Sequence, residues 1–212
     1  MADATLHLRD HYEDLAKQTH AARLGMWVFI GSEALLFAAL FALYAAYRIA
    51  YPASFRAAAA HTNLFLGTAM TFVLITSSLL MANAVLSARL ARPGRSVGFL
   101  AGTAGLGIIF LGLKAVEYTE HFRDGIFPGA FYAFARLPAP GARVFFTLYY
   151  FMTGLHALHV AGGVVLLAWL ARRAHRGGFT PEYHTPLELG GMYWHFVDVV
   201  WIFLWPLFYL LR

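Results

Sequence analysis

The sequence predicts an all-α integral membrane bundle of five transmembrane helices, and three observations carry that prediction. Only 13% of the residues are charged while 60% are hydrophobic, about half the charge of a soluble domain. The apolar runs are long. Residues 62–88, 96–113 and 144–171 hold no Asp, Glu, Lys or Arg, 24–47 is interrupted by Glu33 alone, and 189–211 by Asp198 alone. Each is close to the roughly 17–25 residues that a helix needs to cross a bilayer. The polar residues gather between these runs, which leaves no stretch for a sizeable soluble domain.

Residues 1–23 form a polar tail of mixed charge (Arg9, Asp10, Glu13, Asp14, Lys17, Arg23). The tail lacks the apolar core and cleavage site of a signal peptide, and is expected as loosely ordered chain or a surface helix. Residues 24–212 form one transmembrane domain. Its first helix is expected over 24–49, ended by Tyr51-Pro52 in a short outer loop. The second covers 62–88 and is followed by a tight turn at Arg92-Pro93-Gly94-Arg95. The third covers 96–120 and carries Gly98, Gly102, Gly105, Gly107 and Gly112, small positions that let helix backbones approach closely. The connection 121–143 is rich in Gly, Pro and aromatics. It reads as an ordered cap, with Phe127, Phe131, Tyr132 and Phe134 in or near the interface. The fourth helix covers 144–171, a basic loop follows, and the fifth covers 187–211.

Charge asymmetry orients the bundle. With the N-terminus cytoplasmic, the inner segments hold nine basic residues (Arg9, Lys17, Arg23; Arg89, Arg92, Arg95; Arg172, Arg173, Arg176), against six outside (Arg48, Arg56; Arg123, Arg136, Arg143; Arg212). The positive-inside rule therefore places the N-terminus in the cytoplasm and the C-terminus in the periplasm. The net charge of +5 points to lipid phosphates rather than nucleic acid, because the Lys and Arg residues flank the spans. Cysteine is absent, which excludes disulfides, thiolate metal sites and thiol catalysis. No phosphate-binding glycine loop or nucleophile elbow is present. Of the histidines, only His175 and His184 lie at the inner edge, too few for a membrane diiron enzyme.

Ionisable residues within the spans are functional candidates by default. At about 1.5 Å of rise per residue, Glu33, His156, His159, His195 and Asp198 lie at depths that allow one shared polar cluster. His195 and Asp198 are three apart and share a helix face. Trp194 and Trp201 stand four before and three after Asp198, bracketing its carboxylate. His156 and His159 have a spacing that can chelate a metal, or can bond carboxylates and carbonyls across helices; the second use is the commoner and no metal is assigned. Glu33 reads equally as a proton relay or as a protonated carboxyl satisfied by a neighbouring helix. Lys114 and Glu117 read as a simple pair at the outer rim.

Several of these stretches together resemble subunit III of the haem-copper respiratory oxidases. They are Gly25-Met26-Trp27-Val28-Phe29-Ile30-Gly31-Ser32-Glu33, Thr71-Phe72-Val73-Leu74-Ile75-Thr76-Ser77-Ser78, Glu117-Tyr118, Thr153-Gly154-Leu155-His156-Ala157-Leu158-His159-Val160 and Tyr193-Trp194-His195-Phe196-Val197-Asp198-Val199-Val200-Trp201. The resemblance implies a subunit with no catalytic residue and no haem or copper of its own, those cofactors residing in partner subunits. It implies packing on subunit I, within a complex with subunit II, beside the mouth of the proton-uptake path. It also implies structural phospholipid in a cleft, with Arg172, Arg173 and Arg176 as headgroup anchors, and support for proton uptake by the polar cluster. Longer members have seven helices and this chain matches the last five, as in the five-helix bacterial forms of the plasma (inner) membrane. A quinol oxidase subunit III and a nitric oxide reductase accessory subunit are the near alternatives. From a different class, the buried polar residues could form the path of a free-standing proton or metal transporter.

Overall fold

The structure, a computed structural model, describes residues 14–134, 136–137 and 140–211. Arg9 and Arg212, used in the charge comparison, and most of the polar tail lie outside the described residues. Seven helical elements precede a final π-turn. They are α1 (Leu15–Ala50), α2 (Pro52–Ala59), α3 (Leu64–Arg89), α4 (Pro93–Arg123), a 3₁₀ turn (Gly129–Phe131), α5 (Gly141–His175) and α6 (Thr185–Trp205), with the π-turn over Pro206–Leu210. Five helices are long and apolar enough to cross a membrane, and no strand occurs among the described residues.

Most spans outgrow their apolar runs, because caps and prolines set helix ends as well as hydropathy. Asp14 caps α1 by accepting from the Lys17 amide at 2.6 Å, so the helix begins inside the polar tail. Asn63 caps α3 in the same way at 3.1 Å. The turn placed at 92–95 is corrected: the reversal occurs at Leu90–Arg92, with Ala91 at φ 53°. Pro93 opens α4, where its missing N–H costs nothing. The outer loop after α1 is likewise a short helix, α2, opened by Pro52 and burying Phe55, Ala58 and Ala59. Pro206 lacks the N–H that would continue α6 regularly. The chain widens there into a π-turn that buries Phe208 and Tyr209.

α4 packs between α3 and α5, and α6 lies across α3, α5 and α1. α1 is peripheral, burying only Phe37, Leu40 and Tyr44. The glycines of α4 divide: Gly107 meets the Trp194 ring and Gly102 meets Leu80, while Gly98, Gly105 and Gly112 have no neighbour within 4 Å of an added Cβ. The 121–143 connection is tied to α5. Tyr150 donates to the Ile126 carbonyl at 2.8 Å and the Gly129 amide donates to Thr147 at 2.9 Å. Ile126 and Phe134 are buried, whereas Phe131 is exposed.

Candidate functional site

The helices divide the expected five-residue polar cluster into separate contacts, which corrects the single cluster inferred from depth. Depth fixes height along the bilayer, but the rotation of each helix decides which way a side chain points.

One contact joins α1 to α5. Glu33 Oε2 lies 2.9 Å from His159 Nε2, and His159 Nδ1 donates to the Leu155 carbonyl at 2.8 Å. Nδ1 carries the proton given to that carbonyl, which turns Nε2 towards the Glu33 carboxyl. Both side chains are mostly buried, 20% and 14% exposed. Tyr193 braces the site by donating to the His159 carbonyl at 2.9 Å, and Phe37 sets its ring edge-on to the imidazole.

His156 points elsewhere. Its Nε2 donates to the Val197 carbonyl at 3.1 Å, and its ring lies against Trp201 and Phe110. The two histidines of the His-x-x-His spacing therefore serve different neighbours. Among the described residues, no group of three His, Asp or Glu side chains converges as metal ligands.

His195 and Asp198 form no hydrogen bond or ion pair with each other among the described residues. His195 Nδ1 bonds the Ser78 hydroxyl on α3 at 2.7 Å. Asp198 is 5% exposed and lies beside the Ser78 hydroxyl, which it shares with His195. The indoles expected to bracket the carboxylate are engaged with α3: Trp194 Nε1 donates to Ser77 and Trp201 Nε1 to Thr71, each at 3.0 Å.

Lys114 and Glu117 are more than a simple pair: they are 2% and 0% exposed, buried within the bundle. The ammonium has three protons and three acceptors: Glu117 Oε2 at 2.8 Å, Tyr149 Oη at 2.9 Å and Tyr209 Oη at 3.0 Å. Tyr209 in turn donates to the Glu117 carboxylate at 2.8 Å. The rings of Tyr118, Tyr149, Trp201 and Tyr209 enclose the cation at 4.5–5.7 Å from their centroids, adding cation–π attraction. Sequence reading missed this cage because its tyrosines are 35 and 95 positions from Lys114. The available signal was a lysine and a glutamate closing the apolar run 96–113, with tyrosines towards the same ends of other helices.

A second missed site lies at the face of the bundle where α1 begins. Glu188 binds Arg23 at 2.6 Å and Arg89 at 2.5 Å, and His184 at 3.0 Å, fastening α1 and α3 to the start of α6. Arg172 and Arg176 at the same face are exposed. Arg173 instead lays its guanidinium over Trp169, Phe179 and Tyr183.

These contacts tie the helices together across the bundle. The family model for cytochrome c oxidase subunit III matches residues 8–211. The chain belongs to the cytochrome c oxidase subunit III family. Members of this family are non-catalytic subunits of multi-subunit oxidases. Among its relatives, cytochrome c oxidase subunit 3 of Thermostichus vulcanus is 32% identical over 89% of this chain and 86% of that protein. The same subunit of Alkalihalophilus pseudofirmus is 30% identical over 99% and 96%. Cytochrome bo(3) ubiquinol oxidase subunit 3 of Pseudomonas aeruginosa is 26% identical over 97% and 90%. The subunit III family thus includes proteins named for either electron donor.

Proposed function

We propose that this chain is the non-catalytic subunit III of a proton-pumping terminal oxidase of the cytochrome c oxidase type. It packs on subunit I in a bacterial inner membrane, with its N-terminus cytoplasmic and C-terminus periplasmic. Its part is to bind phospholipid, support proton uptake and stabilise the oxygen-reducing site during turnover. The observation that carries this reading is the family match over nearly the whole chain, joined to a bundle whose buried polar groups bind helix to helix. Glu33 and His159 meet at 2.9 Å near the middle of their helices, a pairing that supports a role beside a proton-uptake path. Arg172 and Arg176, exposed where α5 ends, are suited to lipid phosphates. The Pseudomonas relative makes a quinol oxidase subunit III the second reading. A free-standing transporter is disfavoured because its five path residues point into separate contacts.

Purifying the affinity-tagged chain from its own membranes and recording an optical spectrum tests membership. Haem absorption is expected in the purified fraction; a haem-free spectrum with intact chain overturns the proposal. Within that complex, Glu33→Gln leaves haem content and most oxygen reduction unchanged, because the amide can still bond His159 Nε2. Loss of haem from the Glu33→Gln complex contradicts this assignment.

A further inference from the structure

α1 is held differently along its two halves. The outer half is packed: Phe37, Leu40 and Tyr44 are buried, and the Tyr44 hydroxyl donates to the Leu207 carbonyl at 2.6 Å. No described residue of α1 before Phe37 is buried. Polar ties hold that inner arm to α6 instead. Thr19 Oγ1 lies 3.2 Å from Thr185 Oγ1, and Arg23 donates to Glu188 at 2.6 Å. Farther into the bilayer the arm and α6 stand apart, leaving an open space of about 350 Å³ lined by Trp27, Ile30, Met192, His195, Phe196 and Val199.

The packed and unpacked halves meet near Gly31-Ser32. Ser32 Oγ donates to the Phe29 carbonyl of its own helix at 2.7 Å, a back-bond of the kind that bends helices, and Gly/Ser pairs are a recognised place for helix kinks. A Cβ added at Gly31 would meet nothing within 4 Å. Close packing inside this chain therefore does not require that glycine, and its backbone freedom is left as its contribution. In hydrocarbon the arm must keep its internal hydrogen bonds, so it moves as a rod. With 1.5 Å of rise per residue, a bend of about 10° at Gly31 carries Ala16 sideways by about 4 Å, enough to part Arg23 from Glu188. Glu188 opposes that movement, because its one carboxylate holds Arg23 of α1, Arg89 of α3 and His184 before α6.

We infer that the inner arm of α1 is a hinged strap, pivoting at Gly31-Ser32 and latched to α6 through Glu188. Latched, the arm forms one wall of the space beside α6; released, it swings away and widens that space. Glu33 lies just beyond the pivot, so its contact with His159 is kept in both positions. The inference goes beyond the accessory-subunit reading and rests on contacts within this chain.

Distances between genetically encoded nitroxide amino acids, measured by pulsed electron spin resonance in the complex purified with the tagged chain in lipid nanodiscs, test the strap. One pair, Ala16 and His175, reports the inner arm; the other, Ala50 and Arg143, reports the outer half, and all four positions are exposed. Glu188→Gln is expected to broaden the inner distribution about twofold and leave the outer one unchanged, since the latch holds only the unpacked arm. Adding Gly31→Ala and Ser32→Ala to Glu188→Gln should narrow the inner distribution again by stiffening the pivot. An inner width unchanged by Glu188→Gln overturns the latch, and equal broadening of both pairs overturns the hinge, because the whole helix would then have detached. A triple variant as broad as Glu188→Gln alone overturns the pivot. If Glu188→Gln blocks assembly, salt serves in its place: Arg23 is 51% exposed, so about 1 M sodium chloride screens the latch and should broaden the wild-type inner pair alone. Inner and outer widths that both ignore salt overturn the strap.

Discussion

Replacing Lys114 by methionine destabilises the bundle by about 3–5 kcal/mol, the cost of stranding one member of a buried ion pair. The lysine and Glu117 are both shielded from solvent, and the ammonium has an acceptor for each of its protons. Methionine fills much the same volume, so the loss is electrostatic rather than a cavity. Glu117 would keep the Tyr209 hydroxyl and lose its cation. The double substitution Lys114→Met/Glu117→Gln removes both charges and should recover more than half of the loss. Equilibrium denaturation in mixed micelles measures both variants. A single variant within about 1 kcal/mol of wild type would sink the assignment, because exposed pairs contribute at that level.

The second large effect is a matter of shape. Trp194, 1% exposed, lies where α4 and α5 each supply a glycine. A Cβ at Gly107 would stand 2.8 Å from its ring, and one at Gly163 would stand 2.7 Å away. Trp194→Ala therefore opens a cavity between three helices and releases the Ser77 hydrogen bond, an expected loss of about 3–5 kcal/mol. Gly163→Ala acts on the same contact from the other side, by overpacking, and should cost about 1–3 kcal/mol. Since both substitutions change one packing contact, Gly163→Ala should cost markedly less in a Trp194→Ala background, the coupling expected of touching residues. Strict additivity in the same denaturation assay would show that the ring and the glycine do not bear on each other.

Much of the architecture was legible in the chain itself. Long uncharged runs revealed the spans because a bilayer demands length and apolarity, and the resemblance to the oxidase subunit rested on short stretches inside those spans. Helix ends were less legible, since Asp14, Pro52 and Pro93 extend or start helices beyond the hydropathy boundary and Asn63 starts one inside it. Polar pairing was least legible. His195 and Asp198 share a face of α6, yet His195 bonds Ser78, 117 positions away. Glu33 finds its histidine 126 positions on.

The sequence by itself determined the five spans, the family, and which ionisable groups lie within the apolar segments. Only the tertiary structure decided which of those groups meet, turning a supposed simple pair into a caged lysine and one polar cluster into several contacts. The physical reason is that residue spacing fixes neighbours along one helix, while partners across helices depend on how each is rotated and seated. That seating is set by packing such as Trp194 between Gly107 and Gly163, distributed over the whole chain.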